Sequence, residues 1–386
     1  MSVNKKSISF IPLLDLNREY HQLAKKIHKE IKTCFRSQSW ILGPEVDALE
    51  KTAAHYLGVK HTVGVGSGTD ALLLSLRALA IELKHREHFE RREEIITTPF
   101  TFVATAEAII RSGATPVFVD IDPDTFNILP GAIERAITKN TVGIIPVHLY
   151  GLPCQMDEIL RIARETKLFV LEDAAQAFGA EFKGKKVGAM GKVGAFSFFP
   201  SKNLGGYGDG GLVATNSSAI ATLVKVLRDH GQKTKYNASY IGYNSRLDSL
   251  QAAVLLAKFP YIDRFNNLRR KHAEKYNKSL APIPQVTIPY TPRHCEHVWH
   301  LYTIKVSSGR NRLLNFLNDR GISARLYYPK LLSAMNAFGA AKVKGELGNA
   351  RKVSRQIITL PLDPFLKERE LHYIVSTIQK FFKSKA

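Results

Sequence analysis

The amino-acid sequence predicts an α/β fold with a mostly parallel central sheet in a large domain, followed by a smaller C-terminal α+β domain. From residue 61 to about residue 230, short β-branched runs alternate with helical segments, a pattern typical of a sheet covered on both faces. The alternation then stops, and a helical stretch, a proline-rich segment and a mixed α+β region follow. A chain of 386 residues is long enough for two such domains.

Two helices are predicted before the alternating region. The second begins at Gly43-Pro44, because proline fits the first helical position, and it ends at Gly58. The first helix has apolar residues at three- and four-residue steps, which form one apolar face. These residues are Leu16, Tyr20, Leu23, Ile27, Ile31 and Phe35.

Seven strands, separated by helical segments, are predicted in the alternating region. The strands are HTVGV (61–65), EIITTP (94–99), TPVFVDI (115–121), VGIIPVH (142–148), LFVLED (168–173), AFSFF (195–199) and GLVATN (211–216). The helical segments include Ala71–Leu79, Ala104–Arg111 and Asp157–Glu165. The segment EHFERREE (87–94) carries both signs of charge, and we expect it to be a solvated helical insertion.

The smaller domain is predicted from a change of pattern toward the C-terminus. A helical stretch extends from Asp248 to Leu280, and the proline-rich segment 281–292 ends it. A strand-like run, HLYTIKV (300–306), and two or three helices follow. We therefore expect a large domain over residues 1–259 and a small domain over residues 260–386.

Composition places the chain among soluble globular proteins, since 45% of its residues are hydrophobic and 23% are charged. No apolar run reaches the roughly 18 residues that a membrane span needs. Residues 1–10 contain no apolar segment before a small-residue cleavage site, so we expect no secretion signal and a cytoplasmic location.

The cysteines and the distribution of charge argue against a metal-binding or disulfide-stabilised protein and against a nucleic-acid-binding protein. Cys34, Cys154 and Cys295 are odd in number and lack C-x-x-C spacing, which predicts neither disulfides nor a metal site. The formal net charge of +21 is compatible with nucleic-acid binding. The basic residues are, however, spread along the whole chain with acidic residues between them, so we expect no nucleic-acid partner.

A lysine in a glycine-rich loop is the first candidate for chemistry. In SFFPSKNLGGYGDGG (197–211), Lys202 lies between a predicted strand and five glycines. Glycines allow the backbone to approach a ligand closely. A desolvated lysine there stays partly neutral, as a Schiff-base nucleophile requires. The alternative is an ordinary solvated loop lysine.

An acidic residue at a predicted strand end is the second candidate. In LEDAAQAFGA (171–180) the strand delivers Asp173 to its carboxyl end, where ligands bind in open α/β sheets. A carboxylate there pairs well with a protonated pyridine nitrogen, which makes the ring an electron sink. The alternative is that Asp173 caps a following helix.

Two further segments suggest a phosphate site and a stacking residue. In GVGSGTDALLL (64–74), a glycine-rich turn and Thr69 precede a helix, so its amides would form a phosphate cup. The segment lacks a Walker ending and the full dinucleotide fingerprint, so it is not nucleotide-specific. In TPFTFVATAEAI (98–109), Phe102 follows a strand end and is either a stacking platform or a core residue.

Taken together, these elements resemble the fold-type I aminotransferases, and most closely the DegT/StrS-type sugar aminotransferases. The order is a phosphate cup, an aromatic residue, Asp173 and then, 29 residues later, Lys202. The resemblance covers nearly the whole chain. It includes LDLNREY (14–20), WILGPEVDALE (40–50), IGYNSRLDSLQAAVL (241–255) and GISARLYYP (321–329).

The resemblance implies a pyridoxal 5'-phosphate cofactor, bound covalently by Lys202. Asp173 would pair with the pyridinium nitrogen, and Gln176 would lie beside the ring oxygen. Phe102 would stack on the ring. The phosphate would be held by Gly68, Thr69 and Ser197.

The resemblance also implies a homodimer with shared active sites, in which Asn244 reaches the phosphate of the partner's cofactor. Arg246 and His230 would line the substrate pocket. Many members have a His-Tyr-Pro triplet; here Tyr328 keeps the tyrosine, but Tyr327 stands at the histidine position. The sugar contact of that histidine must therefore differ in this chain.

The implied reaction is transamination of a nucleotide-linked keto sugar, with glutamate as the expected donor, for cell-surface polysaccharide or related amino-sugar biosynthesis. The segments GYNSRLDSLQAA (242–253) and 197–211 look most like members that aminate C3 of a 3-keto hexose. The net charge permits a basic pocket for the diphosphate, and Arg246 would suit the carboxylate of a uronic sugar.

Two rival functions stay open on the sequence alone. Some relatives use the same cofactor to dehydrate sugars, but those replace the lysine with histidine, whereas this chain has Lys202. A DNA-binding regulator would not need an intact lysine, aspartate and phosphate cup, and no helix-turn-helix signature is recognisable. We expect a cofactor-loaded enzyme to be yellow, which would distinguish it from a regulator.

Overall fold

A computed structural model describes residues 10–383, so residues 1–9, which bear on the prediction about secretion, lie outside the described part. The helices are α1 (Leu16–Ser37), α2 (Pro44–Leu57), α3 (Gly68–Lys84), α4 (Ala104–Arg111), α5 (Pro130–Ala136), α6 (Met156–Glu165), α7 (Ser218–Arg228), α8 (Ser249–Lys258), α9 (Ile262–Leu280), α10 (Arg310–Asn318), α11 (Gly348–Gln356) and α12 (Glu368–Lys383). None of these helices is long and apolar enough to cross a membrane.

Within residues 10–383, the strands form one large sheet and three small ones. They are β1 (His61–Val65), β2 (Glu94–Thr97), β3 (Thr115–Phe118), β4 (Thr141–Ile144), β5 (Phe169–Asp173), β6 (Glu181–Phe182), β7 (Lys185–Lys186), β8 (Val193–Ser197), β9 (Gly211–Thr215), β10 (Gln232–Thr234), β11 (Asn237–Ala238), β12 (Val286–Thr287), β13 (Cys295–Glu296), β14 (Tyr302–Val306), β15 (Lys342–Val343) and β16 (Ile357–Leu360).

The large sheet has the order β1-β9-β8-β5-β4-β2-β3-β15, and only β9 runs against its neighbours. All seven strands predicted in the alternating region belong to it, so the prediction of a mostly parallel sheet is confirmed. Because β1, β5 and β8 run in the same direction, their carboxyl ends meet at one edge, where α/β sheets bind ligands.

The side chains of consecutive residues in the inner strands pack on opposite faces of the sheet. Ile95 packs in the core beneath α3, α4 and α7, whereas Ile96 packs in the core beneath α5 and α6. A third core, around Phe196 and Leu212, lies beneath α2 and α8. Both faces are therefore covered, which explains why the strands read as continuous apolar runs.

The second N-terminal helix has the predicted ends, and the predicted apolar face of the first is buried only in part. Pro44 occupies the first turn of α2, and Gly58 ends it in the left-handed conformation with φ 71°. Leu23 and Ile27 are buried on α1, but Phe35 is 54% exposed. The helical stretch predicted between Asp248 and Leu280 is divided into α8 and α9 at Phe259–Tyr261, because Pro260 cannot continue an α-helix.

The prediction of a helical, solvated insertion at 87–94 is wrong. Helix α3 ends at Lys84, His85 adopts the left-handed conformation with φ 53°, and the segment continues as turns into β2. Phe89 is buried, and Glu87 accepts a hydrogen bond of 2.9 Å from buried Arg77. Alternating charges here mark ion pairs with the body of the protein rather than a solvated helix.

A smaller antiparallel sheet, β12-β14-β16, packs with α9, α10 and α12 around a core of its own. The boundary at residues 259 and 260 remains a prediction, and two segments cross it. Ile11 bridges Ile322 and belongs to the core of the smaller unit, while β15 pairs in parallel with β3 of the large sheet.

Candidate active site

A cavity of about 500 Å³ opens at the edge where the carboxyl ends of β1, β5 and β8 meet. Eight of the eleven residues predicted from the sequence to form the site line it. They are Gly68, Thr69, Phe102, Asp173, Gln176, Ser197, Lys202 and Tyr328. These residues come from distant parts of the chain, so the fold brings together most of the predicted site.

Lys202 lies in a tight turn after β8, where its amide donates to the carbonyl of Phe199 at 2.8 Å. The side chain is half-buried, and burial lowers the pKa of its amine to about 8, although the charge of Asp173 acts in the opposite direction. Such an amine is available in its neutral form near neutral pH. Lys202 thus lies at the cavity rather than on the open surface, which favours the Schiff-base interpretation over that of an ordinary solvated lysine.

The glycine-rich loop after Lys202 is held by helix α8. Lys258 donates to the carbonyl of Gly205 at 2.8 Å, and Gln251 accepts from the amide of Tyr207 at 2.7 Å. Lys258 is itself buried and paired with Glu19 of α1. This anchor is not predictable from the sequence, because a lysine in a helix is usually solvated.

Asp173, the last residue of β5, is buried beneath the cavity. One carboxylate oxygen accepts from the hydroxyl of Thr105 at 2.7 Å, and the other accepts from the amide of Ala175 at 3.2 Å. Burial raises the pKa of Asp173, while these hydrogen bonds and the charge of Lys202 lower it. Turns rather than a helix follow the strand, so the helix-cap alternative is wrong.

Thr105 was not identified by sequence reasoning. It lies in the first turn of α4, three residues after Phe102, and it is almost completely buried. The only signal available was a hydroxyl residue just beyond a strand end, which is too common to indicate a function.

The other acid of the same strand, Glu172, has a structural role. It is fully buried and accepts hydrogen bonds from the amides of Gly188, Met190 and Gly191. The Nε2 atom of His148 lies 3.0 Å from the Oε2 atom of Glu172. Glu172 therefore fixes the turn before β8.

The N-terminus of α3 forms an anion cup with Ser197. The side chain of Ser67 accepts from the amide of Asp70 at 3.0 Å, which leaves the amides of Gly68 and Thr69 at the cavity. A β-carbon at Gly68 would lie 2.6 Å from the β-carbon of Ser197. Only glycine allows this approach, and the cup suits a phosphate group.

Phe102, Gln176 and Tyr328 form one wall of the cavity. Phe102 is 53% exposed, so the alternative of a core residue is wrong, and its ring centroid lies 6.2 Å from that of Tyr328. Gln176 donates to the Tyr328 hydroxyl at 3.2 Å and accepts from the amide of Tyr150 at 2.8 Å. The ring of Phe102 is thus free to contact a ligand.

Three predicted residues, His230, Asn244 and Arg246, do not line the cavity of their own chain. His230 and Asn244 are exposed, and Arg246 pairs with Asp229 at 2.7 Å. Their loop is nevertheless fixed behind the anion cup. Ser245 donates to Asp70 at 2.9 Å and accepts from the amide of Gly66 at 3.1 Å.

Two buried basic residues of the cavity, Arg269 on α9 and His300 before β14, were missed by sequence reasoning. Arg269 reads as part of a charged helix face, and His300 as part of a strand. Neither pattern indicates a position in a ligand site.

Comparison with known proteins identifies relatives along almost the whole chain. Residues 21–379 match the sequence profile of the DegT/DnrJ/EryC1/StrS aminotransferase family. The chain is 44% identical to the "Pleiotropic regulatory protein" of Geobacillus stearothermophilus, over 97% of this chain and 99% of that one. It is 40% identical to a UDP-N-acetyl-3-dehydro-alpha-D-glucosamine 3-aminotransferase of Acidithiobacillus ferrooxidans, over 96% of this chain and 97% of that one.

The fold is also similar to solved structures. The crystal structure of DesV from Streptomyces venezuelae, in complex with a ketimine intermediate, superposes with a TM-score of 0.91 at 37% identity. The match covers 96% of this chain and 98% of that one. The expectation of a fold-type I architecture is confirmed.

Proposed function

Because the chain belongs to the DegT/DnrJ/EryC1/StrS aminotransferase family, we propose that it transfers an amino group from an amino acid to a nucleotide-linked 3-keto sugar. One observation carries this proposal. A half-buried lysine with a pKa lowered to about 8 shares a cavity with a buried strand-end carboxylate and a helix N-terminus. These are the groups that an amine-transferring site needs.

The cofactor of this family, pyridoxal 5'-phosphate, fits the residues of the cavity. The space that a β-carbon of Gly68 would fill lies against Ser197, so this cup would hold the phosphate. Asp173 would hold the ring nitrogen, Phe102 would cover a ring face, and Lys202 would bind the cofactor covalently. When bound, the cofactor supplies an electron sink for breaking a C–H bond.

Lys202 has a second role in the proposal, as general base and general acid. Its Nζ would take a proton from the α-carbon of the amino donor and return one in the reverse direction for the sugar. A pKa of about 8 suits both directions near neutral pH. Asp173, fixed by Thr105, would keep its charge directed at the ring nitrogen.

The substrate class rests on the segments noted above and on the relatives. The Acidithiobacillus ferrooxidans relative is named for amination at C3 of a UDP-linked 3-dehydro sugar. We take glutamate as the donor and cell-surface polysaccharide or related amino-sugar biosynthesis in the cytoplasm as the setting. The presence of Lys202 argues against a dehydratase, because the related dehydratases have histidine at this position. The intact set of lysine, aspartate and phosphate cup argues against a purely regulatory protein, which would not need it.

A homodimer with shared sites is part of the proposal. His230 and Asn244 are exposed on a loop fixed beside the anion cup, yet they do not line the cavity of their own chain. In the proposed dimer, Asn244 would reach the cofactor phosphate of the partner, and Arg246 and His230 would contact the partner's substrate.

The experiment is an amine-transfer assay with purified, cofactor-loaded protein, glutamate and a panel of UDP- and dTDP-linked 3-keto and 4-keto sugars. We expect a yellow protein with the higher kcat/KM on a 3-keto sugar. A higher kcat/KM on the 4-keto compounds would contradict the C3 assignment. A protein that stays colourless with added cofactor would contradict the whole proposal.

A further inference from the structure

The cavity has a buried basic end that the proposed roles leave unused. Arg269 is 3% exposed and His300 is 7% exposed, yet both side chains line the same cavity as Lys202. Apolar residues surround this end of the cavity. They are Leu13, Leu14, Leu301 and Leu362.

Only one of the three guanidinium nitrogens of Arg269, Nη1, has hydrogen-bond partners in the described chain. Its Nη1 donates to the carbonyl of Leu362 at 3.1 Å and lies 3.5 Å from that of Trp299. Within residues 10–383, neither Nε nor Nη2 has an acceptor. Nε is completely buried, whereas Nη2 is not closed off, so Nη2 is the unpartnered donor of Arg269 that an anion in the cavity can reach.

No acid of the described chain forms an ion pair with Arg269. Asp363 and Glu19 act on it electrostatically, but Asp363 accepts from the amides of Asp15 and Phe365, and Glu19 pairs with Lys258. A buried cation without a paired anion is costly, and a carboxylate ligand would remove that cost.

His300 adds a second polar group at the same end. Its Nδ1 is completely buried, and its Nε2 has no hydrogen-bond partner in the described chain but is not closed off, so Nε2 is the nitrogen that an anion in the cavity can reach. Burial, followed by the charges of Lys202 and Arg269, keeps its pKa well below the usual value, so the ring is neutral. A neutral imidazole can donate one N–H to an anion.

We propose that Arg269 and His300 form the subsite that binds a carboxylate of the amino-acid donor, with the surrounding leucines contacting its methylene groups. This inference rests on the proposed function, because the donor must bind in the same cavity as Lys202. The other carboxylate source within that function is a uronic-acid sugar, and the experiment separates the two.

The probe is glutarate, a five-carbon dicarboxylate with no amino or keto group, so its binding involves no reaction. Isothermal titration of the holoenzyme measures the affinity, and 1,5-pentanediol serves as the uncharged control. The key variant is Arg269→Lys, which keeps the positive charge and removes the Nη2 donor. Arg270→Lys is the matched control, since Arg270 pairs with Glu296 at the surface.

We expect Arg269→Lys to weaken glutarate binding by about tenfold or more, because hydrogen bonds to charged groups are among the strong ones. His300→Phe, a second variant that leaves Arg269 and its carbonyl contacts in place, should weaken it by roughly fivefold. Arg270→Lys should bind as the wild type does, and pentanediol should not bind.

The inference is overturned if folded Arg269→Lys and His300→Phe both bind glutarate as the wild type does, or if the wild type does not bind it. It is also overturned if Arg269→Lys weakens the binding of UDP-glucuronate relative to that of UDP-glucose but leaves the affinity for glutarate unchanged. The glutarate measurement needs no keto sugar, so failure of amine transfer to every sugar would contradict the proposed function and leave this readout intact.

Discussion

The hydrogen bond from Thr105 to Asp173 allows a sharp test of the site. Thr105→Val keeps the shape of the side chain and removes a 2.7 Å donor to a buried carboxylate. Hydrogen bonds to charged groups contribute about 1.5–3 kcal/mol, and the bond from Thr105 lowers the pKa of Asp173, so its loss should raise that pKa further. The ionised form of Asp173 should therefore be less stable in the variant than in the wild type.

Two measurements follow from the sign of this shift. Burial raises the pKa of Asp173, so ionisation lowers the stability of the fold as pH rises through that pKa. Removing Thr105 should thus cost about 1.5–3 kcal/mol in the free energy of unfolding at pH 8, and the cost should shrink on acidification. The acid limb of the pH profile of kcat/KM for amine transfer should move to higher pH than in the wild type.

Thr105→Ser, which retains the hydroxyl, should have the wild-type free energy of unfolding at pH 8 and the wild-type acid limb of kcat/KM. Thr101→Val is the matched control, since Thr101 is buried and lies 3.4 Å from the Thr105 hydroxyl without contacting Asp173. If Thr105→Val and Thr101→Val gave the same pH profile and the same stability at pH 8, the assigned role of Thr105 would be refuted.

Three further predictions concern the cofactor site and the dimer. Lys202→Ala should fold and lose all turnover, and borohydride should attach the cofactor covalently to the wild type alone; labelling elsewhere would refute the assignment. Gly68→Ala should weaken cofactor binding by about tenfold or more, because its β-carbon would lie 2.6 Å from that of Ser197. Gly348→Ala, with no atom within 4 Å of the new carbon, should bind normally, and equal affinities would exclude the cup. Mixing Lys202→Ala with an Asn244 and Arg246 double variant should restore activity in heterodimers; no recovery despite proven subunit exchange would contradict shared sites.

The sequence predicted those parts of the site that depend on local pattern. Asp173 and Lys202 were found because a strand end and a glycine-rich loop are visible in a few consecutive residues. Thr105 and Lys258 were missed because each acts through a partner 68 or 53 residues away, which no local pattern reveals.

The errors have the same physical origin. The segment 87–94 was expected to be solvated, but Arg77 and Phe89 tie it to the protein body. Arg269 could not be distinguished from its neighbour Arg270, although one is buried in the cavity and the other pairs at the surface. Such distinctions require knowing which helix face meets which neighbour.

The return of β15 to the large sheet has a consequence for engineering. Because Lys342 and Val343 hydrogen-bond to β3, the segment that carries Tyr328 is attached at both its ends, to the smaller unit before it and to the sheet edge after it. A chimera that exchanged everything after residue 260 between relatives would also replace one edge of the sheet. Swaps that preserve the sequence of β3 and β15 as a unit should keep the stability of the parent, whereas a simple two-piece exchange pairs a foreign edge strand with the native β3 and should lower stability.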